Sequence, residues 1–247
     1  MNVFSKLTVL EWKLHMRNPL TVFFALAFPV LMLLLFGTMY GNEPNEFMGG
    51  FGSVDALVPG YICMIAAVTG LMALPLVLAE YREQKILKRF MATPIRPQDI
   101  LLSQLIVNTL TTLVGVLLLL IFGKVIYDLQ FFGSVLEATA AFLLILMSIF
   151  AVGLFIGGVT PNGRTAIVIS YIVYFPMLFL SGATMPMEMM PQSIVNISKV
   201  LPLTYGVTLL KGIWLGDRFF DFPLELGGIV LVTSVFGGLA VKLFRWE

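Results

Sequence analysis

Residues 56–79 read ALVPGYICMIAAVTGLMALPLVLA, without one Asp, Glu, Lys or Arg. A helix needs about 20 mostly apolar residues to cross the hydrocarbon core of a bilayer, and this run is long enough. Similar charge-free runs lie on either side, at 18–42, 100–123, 138–163 and 165–187. A sixth segment, about Phe222 to Val241, carries Glu225 one turn inside its start and spans if that carboxylate sits among headgroups. Six spans is the reading; five remain if Glu225 keeps the last segment out. Hydrophobic residues make up 59% of the chain and charged residues 12%, about half the ~25% of soluble domains. The fold class is an all-α membrane protein with lipid as solvent for much of its surface. The first apolar run begins near Leu20 and is too long for the core of a cleavable signal.

Lys and Arg set the expected orientation, because they concentrate on cytoplasmic loops. With the N-terminus in the cytoplasm, only Lys124, Lys199, Lys211 and Arg218 of the fifteen basic residues fall outside. Both termini are therefore expected inside, in a plasma membrane of bacterial type. The net charge of +1 says nothing about an acidic partner; no nucleic-acid partner is expected, and the lone Cys63 sits in an apolar run.

The connections differ in kind. Thr160-Pro161-Asn162-Gly163 reads as a tight turn, with φ fixed by the proline and left-handed geometry open to Asn-Gly, that makes spans four and five an antiparallel hairpin. Residues 181–221 are too polar and Pro-broken to span, and too apolar to be a free loop. Within them Ile194, Ile197 and Leu201 recur at helical spacing, as do Leu203, Val207, Leu210 and Trp214. Short apolar helices of this sort are re-entrant or lie at the membrane surface. Pro29, Pro75 and Pro176 are expected to kink spans one, two and five. Gly153 and Gly157, at small-x-x-x-small spacing, admit a neighbouring helix closely, within the chain rather than at a dimer seam.

Two segments invite a functional reading. Before Arg17, Val3, Leu7, Leu10 and Leu14 form an apolar stripe with Lys6, Lys13 and Arg17 beside it. This is an interfacial helix; either it only anchors the chain, or Glu11, Lys13 and Arg17 also meet a cytoplasmic partner. Residues 80–91, read as a helix, put Ile86, Leu87 and Phe90 on one side and Arg82, Lys85, Lys88 and Arg89 on the other, with Thr93-Pro94 as its stop. On the residues alone, a topological loop and a docking helix both fit.

Three motifs in register carry a resemblance. Ala79-Glu80-Tyr81-Arg82-Glu83, followed by Arg89-Phe90-Met91-Ala92-Thr93-Pro94-Ile95-Arg96-Pro97, resembles the cytoplasmic loop of ABC-2 type permeases, the membrane subunits of ABC exporters of the daunorubicin-resistance and polysaccharide-export kind. Phe179-Leu180-Ser181-Gly182, then Pro186, Pro191 and Leu201-Pro202-Leu203-Thr204-Tyr205-Gly206, resembles that family's signature between spans five and six. The interfacial helix ending in Arg17-Asn18-Pro19 is the third. One departure is Gln84-Lys85, where the family usually has a glycine.

The resemblance implies one transmembrane domain over residues 1–247, with an interfacial helix at 1–17, a cytoplasmic coupling loop at 80–97 and an extracellular or re-entrant gate at 182–221. It implies a second permease copy, identical or a sister chain, on two ATP-binding subunits that hold the ATP and Mg. Glu80, Arg82, Glu83, Lys85, Leu87, Arg89, Phe90, Thr93 and Pro94, with Glu11, Lys13 and Arg17, would couple to the ATPase. Phe179, Ser181, Gly182, Pro186, Pro202 and Tyr205 would form the gate. The cargo implied is an amphiphilic drug, a lipid or a lipid-linked glycan.

Other classes fare worse. No G-x-x-x-x-G-K-[ST] run is present, and the glycine-rich stretch Gly157–Arg164 ends without the lysine. An intramembrane serine protease needs a histidine in the bundle, and the only one, His15, precedes span one. Metal chemistry lacks clustered ligands. A secondary transporter or a membrane scaffold without an ATPase is the alternative, although no charge lies deep in spans one to five as ion coupling usually requires.

Overall fold

A computed structural model describes residues 3–45, 48–86 and 97–243. Among them, six helices are long and apolar enough to cross a membrane: span one Pro19–Tyr40, span two Ser53–Glu83, span three Gln98–Tyr127, span four Val135–Val159, span five Gly163–Leu180 and span six Pro223–Leu243. A helix over Val3–His15 precedes them. Asn18 separates the two by capping span one, its side chain accepting from the Thr21 N–H, and Pro19 opens the helix where no N–H is needed.

Span two is the axis of the bundle. In its most apolar window 83% of residues are buried, against 11% in span six, which leaves most of its surface outside the bundle. Two prolines shape the packing. A π turn, Phe23–Ala27, precedes Pro29, and another, Val68–Ala73, precedes Pro75. A proline ring collides with the carbonyl four residues back, and the widened turn gives that carbonyl room. Span five runs through Pro176 without such a turn. In the second π turn Leu74 donates to the Thr69 carbonyl, so the next donor in that register would be Pro75, which has none. The Gly70 carbonyl points instead at Gly153 of span four, where an added Cβ would overlap it. Gly157 lies equally close to Pro75 and Leu78. Both glycines thus seat span four on span two within the chain.

At the end opposite the N-terminal helix, Asp55 ties two loops to the start of span two. Its carboxylate accepts from Asn42 Nδ2 at 3.0 Å and from the Gln130 N–H at 2.9 Å. A two-residue hairpin, Pro44-Asn45 against Phe51-Gly52, closes the connection between spans one and two. Between spans five and six lie a short helix, Gln192–Ser198, and a longer one, Pro202–Trp214, bent 104° against it. The longer helix buries Leu203, Val207, Leu210 and Trp214, the stripe expected of it. The shorter one leaves Ile197 exposed.

Two expectations change. The helix from span two does not continue over 80–91: it ends at Glu83, and Lys85 takes a left-handed φ of 56°. That conformation is the one glycine adopts freely, which explains why a glycine would suit the position. Leu87, Arg89, Phe90, Thr93 and Pro94, with Lys88 and Arg96, lie outside the described residues. The turn between spans four and five uses no left-handed residue, because Asn162 is extended and caps span five by accepting from the Thr165 N–H at 2.9 Å. On the N-terminal helix, Leu7 is buried but Leu10 and Leu14 are exposed; the inward face is Leu7, Glu11 and His15.

Candidate functional site

Arg82 and Glu83 end span two and form the root of the loop that follows. The Arg82 guanidinium lies across the C-terminus of span four. It donates to the carbonyls of Gly157 at 2.9 Å, Gly158 at 3.1 Å and Thr160 at 2.5 Å. Those carbonyls have no partner within their own helix, and a cation at a helix C-terminus also meets the negative end of its dipole. Glu83 does the reverse one residue later. Its Oε2 accepts from the Gly163 N–H at 3.0 Å, the first turn of span five, where an anion meets the positive end. Adjacent residues of opposite charge thus grip the two sides of the turn between spans four and five. Glu80 packs beside them, its Cγ so near Gly163 that any side chain there would meet it.

Glu11 faces inward from the N-terminal helix. Its Oε2 accepts from the Tyr81 hydroxyl at 2.5 Å and from Gln104 Nε2 at 2.6 Å, joining that helix to spans two and three. Burial pushes its carboxyl above the usual range, and the two hydrogen bonds pull it partly back. His15, one turn on, is buried and pushed down to about 4, so its imidazole is neutral at physiological pH. From Gln104 a polar seam runs on inside span three. Asn108 donates to the Gln104 carbonyl at 2.9 Å, Thr112 to the Asn108 carbonyl at 2.8 Å, and Thr112 meets Thr69 of span two at 2.7 Å.

The sequence-derived coupling residues therefore divide. Glu80, Arg82, Glu83 and Lys85 gather at the loop root, with Lys85 and Glu83 exposed. Lys13 on the N-terminal helix and Arg17 in the turn after it are exposed, whereas Glu11 is turned into the chain, away from where a partner would meet that helix. Among the gate residues, Ser181 and Pro186 are buried, and Gly182 and Pro186 line one cavity with Val207 of the longer helix. Gly60 of span two comes so close to the Ala183 carbonyl that a Cβ would lie 2.7 Å from it, and Gly182 turns with φ 85°. Pro202 opens the longer helix, and the Tyr205 hydroxyl closes the bend by donating to the Lys199 carbonyl at 2.6 Å. Phe179 stands apart, exposed and stacked along span five on Phe175.

Sequence reasoning missed Tyr81, His15 and Gln104. The last had a visible signal, since Gln104, Asn108 and Thr112 recur every four residues down one face of an apolar span. The acceptors of Arg82 had none, because they are backbone carbonyls about 75 residues away.

Comparison with known proteins agrees with this architecture. A profile of the ABC-2 type transporter family matches residues 2–215. The chain is 24% identical to the probable multidrug ABC transporter permease YbhR of Escherichia coli over 190 residues, 76% of this chain and 52% of that one. It is 24% identical to the putative transport permease ycf38 of Cyanophora paradoxa over 241 residues, 93% of this chain and 83% of that one. To the inner membrane transport permease YhhJ of E. coli it is 26% identical over 206 residues, 82% of this chain and 54% of that one. The chain spans about half the length of the two E. coli relatives. A family profile over nearly the whole chain, matched to a bundle of six apolar helices, makes this a multi-pass membrane protein of the ABC-2 type transporter family.

Proposed function

We propose that the chain is the transmembrane permease subunit of an ATP-driven exporter, working as a pair of permease chains on separate ATP-binding subunits. The carrying observation is the double grip of Arg82 and Glu83. A loop hung from span two by a flexible tether could take up a push from an ATPase without passing it on. Here the root of the loop is fixed to the end of span four and the start of span five, so displacement of the loop carries three spans with it. The ATPase sits against the loop after Glu83, with Lys85 and the residues to Pro94 facing it and Lys13 and Arg17 alongside. ATP and Mg belong to that partner. Closure of the two ATPases shifts the permease pair between inward- and outward-open states only by its differential interaction with them. The bent pair between spans five and six serves as the outer gate. The cargo is amphiphilic or hydrophobic, a drug, a lipid or a lipid-linked glycan, in keeping with the "multidrug" in the name of one relative and with the apolar faces of the spans.

A photo-cross-linking residue at position 85 or 13, in the tagged chain in its native membrane, tests this. The expected product joins the chain to an ATP-binding subunit that carries the phosphate loop. A chain recovered without any ATPase after gentle solubilisation and cross-linking would remove the mechanism. The charge reversal Arg82→Glu is expected to leave the cross-link in place while separating ATP hydrolysis from export.

A further inference from the structure

A cavity of 540 Å³ opens between the N-terminal helix and the adjoining ends of spans one, two and three. Its size falls within the range of small-molecule sites. Leu10, Leu14 and Val77 line it with apolar side chains, and Leu10 and Leu14 are also exposed, so the cavity is bordered by apolar surface of the kind that lies against lipid. Glu11 and His15 add polar groups to the lining. Glu11 is 4% exposed, and both of its hydrogen bonds go to Oε2, so Oε1 accepts none among the described residues. His15, 7% exposed, lines the same cavity and holds a buried Nε2 with no partner. No cation pairs with Glu11 among the described residues; Arg17, on the lip, is exposed and forms no ion pair with it. A second carboxylate, Glu80, lines the wall.

A buried carboxylate without a counter-charge is costly, and so is a buried nitrogen without a partner. Both are answered by one kind of group. We propose that this cavity binds the primary ammonium headgroup of an amphiphile from the adjoining leaflet, its N–H groups donating to Glu11 Oε1 and His15 Nε2 and its chain leaving past Leu10 and Leu14. Because His15 is neutral, it can accept such a bond and does not repel the cation. A quaternary ammonium has no N–H to donate, and an anionic headgroup would meet Glu11 and Glu80. Where the amphiphile is a phospholipid, its phosphate lies toward Arg17. The ammonium has two sources, phosphatidylethanolamine of the bilayer or a single-chain amine of the kind an exporter carries.

Native mass spectrometry of the full detergent-purified chain tests the site, with phosphatidylethanolamine, phosphatidylcholine and phosphatidylglycerol of the same acyl chains added in turn. Phosphatidylethanolamine is expected to be retained at least 5-fold better than the other two, with Glu11→Gln abolishing that preference. Val77→Phe, which projects a ring into the cavity and leaves the carboxylate, is expected to do the same. Equal retention of the three lipids overturns the site, as does a preference that survives Val77→Phe, the variant that decides if Glu11→Gln does not fold. Dodecylamine separates the sources. Displacement of the phospholipid by equimolar dodecylamine shows that the ammonium suffices and that single-chain amines enter, while retention against it assigns the site to the bilayer lipid.

Discussion

Lys85 holds a left-handed backbone at φ 56° with a full side chain. That conformation costs an ordinary residue about 1–2 kcal/mol, and glycine little, although glycine gives part of the gain back through its freer unfolded chain. Lys85→Gly is therefore expected to stabilise the protein by about 0.5–1 kcal/mol, read as a raised midpoint in thermal unfolding of the detergent-solubilised chain. His15 makes a pH prediction. Its folded pKa of about 4 lies below the ordinary 6.5, so the native state favours the neutral ring. Its stabilising contribution is complete above pH 6.5 and is lost as pH falls from 6.5 toward 4. By pH 5 that amounts to about 2 kcal/mol, at ~1.4 kcal/mol per unit. Glu11, with its pKa raised, has the opposite sign: its contribution is present below 4.5 and lost as pH rises through the folded value. Comparing midpoints at pH 7 and pH 5 isolates His15, since His15→Gln is expected to lose less on acidification than the wild type. Neither residue could be placed from sequence. The apolar stripe at 7, 10 and 14 did not mark which face of the helix meets the bundle, because tertiary hydrogen bonds from Tyr81 and Gln104 draw Glu11 inside beside Leu7 and leave Leu10 and Leu14 outward.

Among the elements, the turn between spans four and five depends on span two. Arg82→Ala leaves the Gly157, Gly158 and Thr160 carbonyls without their charged donor. Hydrogen bonds to charged groups contribute about 1.5–3 kcal/mol, so a loss near 2–3 kcal/mol is expected. Arg82→Lys is expected to recover only part of it, because an ammonium cannot match the spread of a planar guanidinium. Protease accessibility of the turn around Asn162 checks both. Glu83→Gln keeps an acceptor for Gly163 but removes the charge at the helix start, with a smaller loss of about 0.3–1 kcal/mol. The hairpin itself was legible in Thr160-Pro161-Asn162-Gly163, and so was the buried stripe of Pro202–Trp214. The grip on the hairpin was not, since backbone carbonyls leave no mark in a sequence. The end of span two at Glu83 was hidden as well, because Gln84 and Lys85 are good helix formers and only the tertiary setting turns them.

For the whole molecule, charge-free length sufficed to locate the first five spans, because lipid leaves so few options for backbone polar groups, while the sixth was legible only by accepting Glu225 in its first turn. Which span forms the axis was not legible: spans two and four are equally apolar in sequence, and their burial is set by glycine contacts such as Gly153 on Gly70. The distribution of Lys and Arg predicts both termini in the cytoplasm. Fusions of a fluorescent protein to each terminus are expected to be fluorescent, and alkaline phosphatase inserted after Asp128, between spans three and four, is expected to be active. The reverse pattern would invert the orientation.

Cys63 lies fully buried in span two, and no second cysteine exists. A maleimide dye cannot reach it while the bundle is intact, so the native chain carries its own thermal-unfolding reporter, silent until the central helix is released. The same silence leaves the wild-type background unlabelled. A cysteine placed at an exposed site such as Lys85 or Lys13 can then be tagged selectively for distance measurements, without first constructing a cysteine-free parent.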